Sequence, residues 1–242
     1  MNGVSIGQTG HDVKLARALL LYEGEGGAQY ATVHPVTAAA DSGRPVIGAG
    51  RLINRRAMLD ALVQLDRNAA RAAEFLPPTV LGVTPAAVTW WCPPAMRRVF
   101  FKCEKVGERS AVVPHPGLVF QAAVDGFRVF ALAGDTRPDE KSALHEPPYF
   151  NTWEHGKVCI GSANVPRRVE VAAIKGWEDG FFNSAFTHPN HGGQRVSYKA
   201  GFHAFWTDML DGKFARFPLD VLVPVKRATA GGLVAGKIGG VA

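Results

Sequence analysis

A chain of 242 residues, 47% of them apolar and with a formal charge of +6, has enough hydrophobic material for a packed core. Its longest apolar runs, 18–22 and 129–133, fall far short of the roughly 20 residues of a membrane-spanning helix, and no basic segment leads into an apolar one at the N-terminus. Three cysteines, Cys92, Cys103 and Cys159, form no even set and no close pair, which argues against a disulfide framework and for a cytoplasmic, reducing location.

Residues 13–23 and 29–36 alternate around Gly24-Glu25-Gly26-Gly27 and predict an N-terminal β-hairpin. A loop over 40–50 follows. Asn54 then caps an expected helix whose apolar positions Met58, Leu62, Leu65, Ala69 and Ala72 keep helical spacing, ended by Pro77-Pro78. The densest basic group, Arg44, Arg51, Arg55, Arg56, Arg67 and Arg71, has no interleaved aromatic residues of the kind a single-strand platform uses. A solvated or protein-docking face is expected there, and a nucleic-acid site is not.

From Val88 the pattern becomes that of short strands at 88–91, 98–103, 117–124 and 126–133, punctuated by Pro93-Pro94, Pro114-His115-Pro116 and the hairpin signal Asp125-Gly126. A four-stranded antiparallel meander is the expectation. The stretch 135–150, rich in proline and charge, reads as irregular. Val171, Ile174, Trp177, Phe181 and Ala185 predict a helix weakened by Gly176 and Gly180, and residues 187–197 a loop. Phe202, Phe205, Trp206, Met209 and Leu210 predict a second helix, stopped by Gly212. The tail from Ala228 has little to bury and is expected to be disordered.

The chemistry concentrates in Asn151-Thr152-Trp153-Glu154-His155-Gly156-Lys157-Val158-Cys159-Ile160-Gly161-Ser162. One thiol follows a turn, with a carboxamide eight residues upstream. Cys159 is the candidate nucleophile, with Lys157 and His155 close enough in sequence to favour its thiolate. Asn151 is the candidate oxyanion donor, or a brace for the turn. Glu154, Glu178 and Asp179 are available to orient an attacking amine. Cys92 and Cys103 read as small packing residues. Among His145, His155, His188, His191 and the cysteines there is no Cys-x-x-Cys or His-x-x-x-His spacing, so no metal is expected, and the glycine-rich turn at 24–27 lacks the lysine and helix of a phosphate loop, so no cofactor is either.

The order helix, meander, irregular stretch, cysteine and further helices resembles ubiquitin-conjugating enzymes, in which an asparagine lies eight residues before the catalytic cysteine. Asn151, Gly156, Val158 and Cys159 occupy the matching positions, while Tyr149-Phe150 stands where that family has His-Pro. Trp90-Trp91-Cys92-Pro93-Pro94, His115-Pro116-Gly117-Leu118-Val119-Phe120, the Cys159 segment and Phe182-Asn183-Ser184-Ala185-Phe186-Thr187-His188 together resemble the PRTRC system protein B family, a bacterial branch of that superfamily. The resemblance implies an α+β fold with a ubiquitin-conjugating-like core over 51–218, its active-site flap and C-terminal helices; the hairpin, absent from the standard conjugating fold, forms an extension over 1–50, and a flexible tail is expected over 219–242. It implies a small ubiquitin-like protein carried as a Cys159 thioester, delivered by a ubiquitin-activating-like (ThiF-type) enzyme docking near Arg51, Arg55 and Arg56, and passed to an amine. Two alternatives stand beside it: a catalytically silent scaffold of the same fold in a plasmid-associated complex, and a cysteine hydrolase pairing Cys159 with His188.

Overall fold

The computed structural model describes residues 15–25, 27–53, 75–190 and 192–238. It divides into two compact units, Met1–Glu74 and Phe75–Ala242. In the first, strands β1 (Arg17–Gly24) and β2 (Gly27–Ala38) form the expected hairpin, with Tyr22 and Tyr30 opposite each other and stacked at 4.5 Å. The expected loop over 40–50 is not all loop. It contains β3 (Pro45–Ile47), which pairs with Val36, Thr37 and Ala38 at the end of β2, while β4 (Arg51–Leu52) pairs with Thr32 and Val33 on the edge of β2 away from β1. The helix expected from Asn54, with Arg55, Arg56, Arg67 and Arg71, lies outside the described residues.

The second unit is built on a six-stranded sheet of β5 (Val80–Val83), β6 (Ala87–Cys92), β9 (Gly117–Ala123), β10 (Gly126–Leu132), β11 (Ala143–His145) and β13 (Pro224–Thr229), every neighbour antiparallel. The Asp125-Gly126 hairpin between β9 and β10 forms as the sequence predicts. The consecutive meander does not. After Pro93-Pro94, which lack N–H donors, the chain leaves this sheet as the hairpin of β7 (Ala95–Cys103) and β8 (Gly107–His115), and β9 then returns to pair with β6. The reason lies in burial: β9 and β10 are buried almost throughout, whereas the first part of β8 alternates between half-buried and exposed.

Both faces of the central strands are covered. Trp90, Phe120 and Phe127 stack on one face and meet Phe181 and Phe182 of helix α1 (Ile174–Phe182), while the same core includes Phe205 and Trp206 of helix α2 (Phe202–Leu210). Each such aromatic contributes about 2–3 kcal/mol by leaving water. Helix α1 ends at Phe182, short of the expected Ala185, which instead starts β12 (Ala185–Phe186), a strand parallel to β7. Helix α2 matches its prediction: the Gly212 N–H, from a positive φ, closes on the Met209 carbonyl.

On the opposite face, Val119, Phe130 and Leu132 pack against Leu144, Ala228, Ala230 and Leu233. The flexible tail expected over 219–242 is therefore corrected for residues 219–238. β13 joins the sheet, helix α3 (Ala230–Val234) follows it, and the Leu233 carbonyl accepts a bond from buried Gln121 Nε2 at 2.9 Å. Ala228, Ala230 and Leu233, with the partly buried Val225 and Ile238, close the open face of the sheet. Among the described residues, no helix is long and apolar enough to cross a membrane.

Candidate active site

Tyr149 and Phe150 are buried and anchor the chain as it reaches Asn151. Asn151 sits at φ 57°, a left-handed conformation that asparagine tolerates better than most residues. Its N–H donates to the His188 carbonyl at 2.9 Å, and its carbonyl accepts from the Cys159 N–H at 2.7 Å. Between these residues the chain turns back on itself: Thr152 bridges to Val158, and the Trp153 N–H donates to the Lys157 carbonyl at 2.6 Å. The turn needs Gly156, at φ 68°, because a Cβ there would lie 2.3 Å from the Val129 carbonyl oxygen. The eight-residue interval is thus the length of one closed loop that returns the thiol beside the asparagine. The Val158 N–H donates to Phe127 at 2.8 Å and ties this loop to β10.

Cys159 is half-buried, past the turn, and opens on a cleft of about 770 Å³ lined also by Asn151, Lys102, Asp179, Asn183 and His188. The β12–β7 pairing brings the 183–188 segment and Lys102 to this cleft. Gly180 admits the chain that follows the thiol, since a Cβ there would stand 2.7 Å from the Val165 side chain. The Asn151 carboxamide braces the far wall. Its Nδ2 donates to the Ala185 carbonyl at 2.8 Å, and its Oδ1 accepts from the Thr187 N–H at 3.0 Å and the Thr187 hydroxyl at 2.9 Å. The nearer wall is held by Arg195, buried, which donates to the Thr152 carbonyl at 3.0 Å and pairs with Glu146.

The structure brings Cys159, Asn151, His188 and Asp179 to one cleft. Lys157 reaches instead toward the Gly126 turn, and neither it nor His155 lines the cleft. Glu178 accepts the indole N–H of Trp90 at 3.0 Å. Sequence reading missed Thr187 as a contact residue, along with Lys102 and Arg195. Thr187 lay inside a motif that stood out, whereas Lys102 carries no local signal because the β12–β7 pairing decides its place.

Beneath the loop lies a second polar group. His115 Nδ1 and the Tyr149 hydroxyl are 2.6 Å apart, and Arg97 donates to the Cys92 sulfur at 2.8 Å. Burial pushes the Cys92 thiol up to about 12, helped by Glu178 and opposed by Arg97. Burial, reinforced by Arg97, pushes His115 down to about 3. Both groups are therefore neutral near pH 7.

An α+β protein with a mostly antiparallel sheet, few helices and a cysteine-lined cleft is the class that fold and site define. The model of prokaryotic E2 family D matches residues 54–225, and the chain belongs to that family. The match runs across the division between the two units. No curated protein and no solved structure matches the chain.

Proposed function

We propose that this protein carries the C-terminal acyl group of a small ubiquitin-like protein as a thioester on Cys159 and transfers it to an amine, as a ubiquitin-conjugating-like enzyme of the bacterial PRTRC type. The observation that supports this reading is the position of Cys159: a thiol at the mouth of an open cleft, fixed by its own backbone bond to Asn151, inside the segment that carries the family match. In loading, the Cys159 thiolate attacks the carbonyl held by a ThiF-type activating enzyme, a new C–S bond forms, and the enzyme's sulfur leaves. In transfer, an amine attacks the same carbonyl and the Cys159 sulfur leaves. Asn151 Nδ2 gives one N–H to Ala185. Its second N–H is the candidate oxyanion donor, a role worth about a hundredfold in rate.

The test combines the purified protein with the activating-like enzyme, the ubiquitin-like protein and ATP, read by non-reducing gel and intact mass. The expected result is a thiol-sensitive adduct that is absent in Cys159→Ala. An activating enzyme that charges itself while no adduct forms here would instead favour a scaffold role for the same fold.

A further inference from the structure

Resting on the thioester reading of Cys159, we propose that His188 is the proton acceptor of the cleft, held in its working tautomer by Thr187 and Asn151. The inference follows from counting protons. The Asn151 amide has one possible orientation, because the Ala185 carbonyl can only accept and the Thr187 N–H can only donate, so Nδ2 faces the first and Oδ1 the second. Asn151 Oδ1 carries no proton. The 2.9 Å contact between it and Thr187 Oγ1 therefore uses the single hydroxyl proton of Thr187. The same Thr187 oxygen lies 2.9 Å from His188 Nδ1, and with its proton already given it can only accept. Nδ1 must then supply the hydrogen, which leaves Nε2 of the neutral ring with a free lone pair.

A base of this kind faces the right chemistry. His188 and Cys159 line one cleft, and each is bonded through its backbone to Asn151. His188 is exposed, so a proton taken from substrate can pass on to water. The other titratable groups at the cleft are Lys102 on β7, Asp179 on α1 and Cys159 itself. In the step assigned to His188, the amine lone pair forms a bond to the thioester carbonyl and the amine proton moves to Nε2. The tetrahedral adduct then collapses, the C–S bond breaks with its electron pair on the Cys159 sulfur, and His188 releases its proton to solvent. His188 is the catalytic base, and Thr187 is a positioning residue that fixes which ring nitrogen is free. The buried His115 has no access to this cleft chemistry.

The experiment uses the full chain and a small probe. Cys159 is acylated by exchange with a mercaptoethanesulfonate thioester of acetylglycine, with Cys159→Ala as the unloaded control, and free lysine is then added while intact mass follows the loss of the acyl group. His188→Gln and His188→Ala, each checked for an unchanged melting temperature, should load like the wild type. They should then transfer about a hundredfold more slowly at saturating lysine. The half-saturating lysine concentration should not move. Thr187→Val should slow transfer about tenfold, with Thr187→Ser restoring it. Loaded His188 variants that react at the wild-type rate would overturn the proposal and leave the thioester reading intact. A wild-type protein that takes up no acyl group from the probe would overturn both.

Discussion

Two sides of one short segment carry the same residue types and do opposite things. Tyr149 turns into the core, where it meets His115 with Cys92 nearby, and Asn151 turns to the cleft, where it meets Thr187, His188 and Cys159. Each side has one thiol, one imidazole and a hydroxyl bonded to that imidazole's Nδ1. Below, removal of water fixes the thiol and the ring as neutral packing groups; above, the ring is exposed and the thiol opens to a cleft. A cysteine and a histidine thus become buried packing groups or groups open to a cleft according to what surrounds them, not to what they are.

The sharpest way to break this contrast is alkylation. Brief treatment of the native protein with iodoacetamide near pH 7, followed by peptide mapping, should modify Cys159 while Cys92, which needs the core to open, reacts at least about a thousandfold more slowly. Comparable rates would mean that the interior pair is accessible after all. Next in size is Tyr149→Phe, which keeps the ring but leaves His115 Nδ1 buried without a partner. It should lower unfolding free energy in urea by about 2 kcal/mol.

The pH dependence of stability is the third measure. His115 is held below its unfolded value, so between about pH 6.5 and pH 3 the unfolded chain binds a proton that the folded one does not. Stability is then full above pH 6.5 and declines as pH falls through that window, with a slope from this residue of up to about 1.4 kcal/mol per pH unit. In His115→Gln that part of the acid slope should be absent from urea titrations. The smallest effect belongs to the cleft: His188→Gln should change unfolding free energy by no more than about 0.5 kcal/mol, as befits an exposed side chain. A loss as large as that of Tyr149→Phe would make His188 a structural residue like its buried counterpart.

Several elements were legible because their signals are local. The α2 helix announces itself by the spacing of Phe202, Phe205, Trp206 and Met209 and by the stop at Gly212. The β9–β10 hairpin follows from Asp125-Gly126, and the interval from Asn151 to Cys159 marks the loop that closes on itself. What the chain order suggested wrongly came from partners far away in sequence. The 98–103 segment reads as a meander strand, yet β7 pairs with β8 and β12, because β6 and β9 are the strands apolar enough to be covered on both sides.

The amino-acid sequence by itself singled out Cys159 and Asn151 as candidates for chemistry and determined where the helix and turn signals fall, since propensity and periodicity act within a few residues. Only the tertiary structure decided that residues 219–238 complete the second face of the sheet, and that Thr187 and His188 stand against Asn151 from more than thirty positions away. Such placements depend on which surfaces remain to be buried once the sheet has formed, and that quantity belongs to the whole fold.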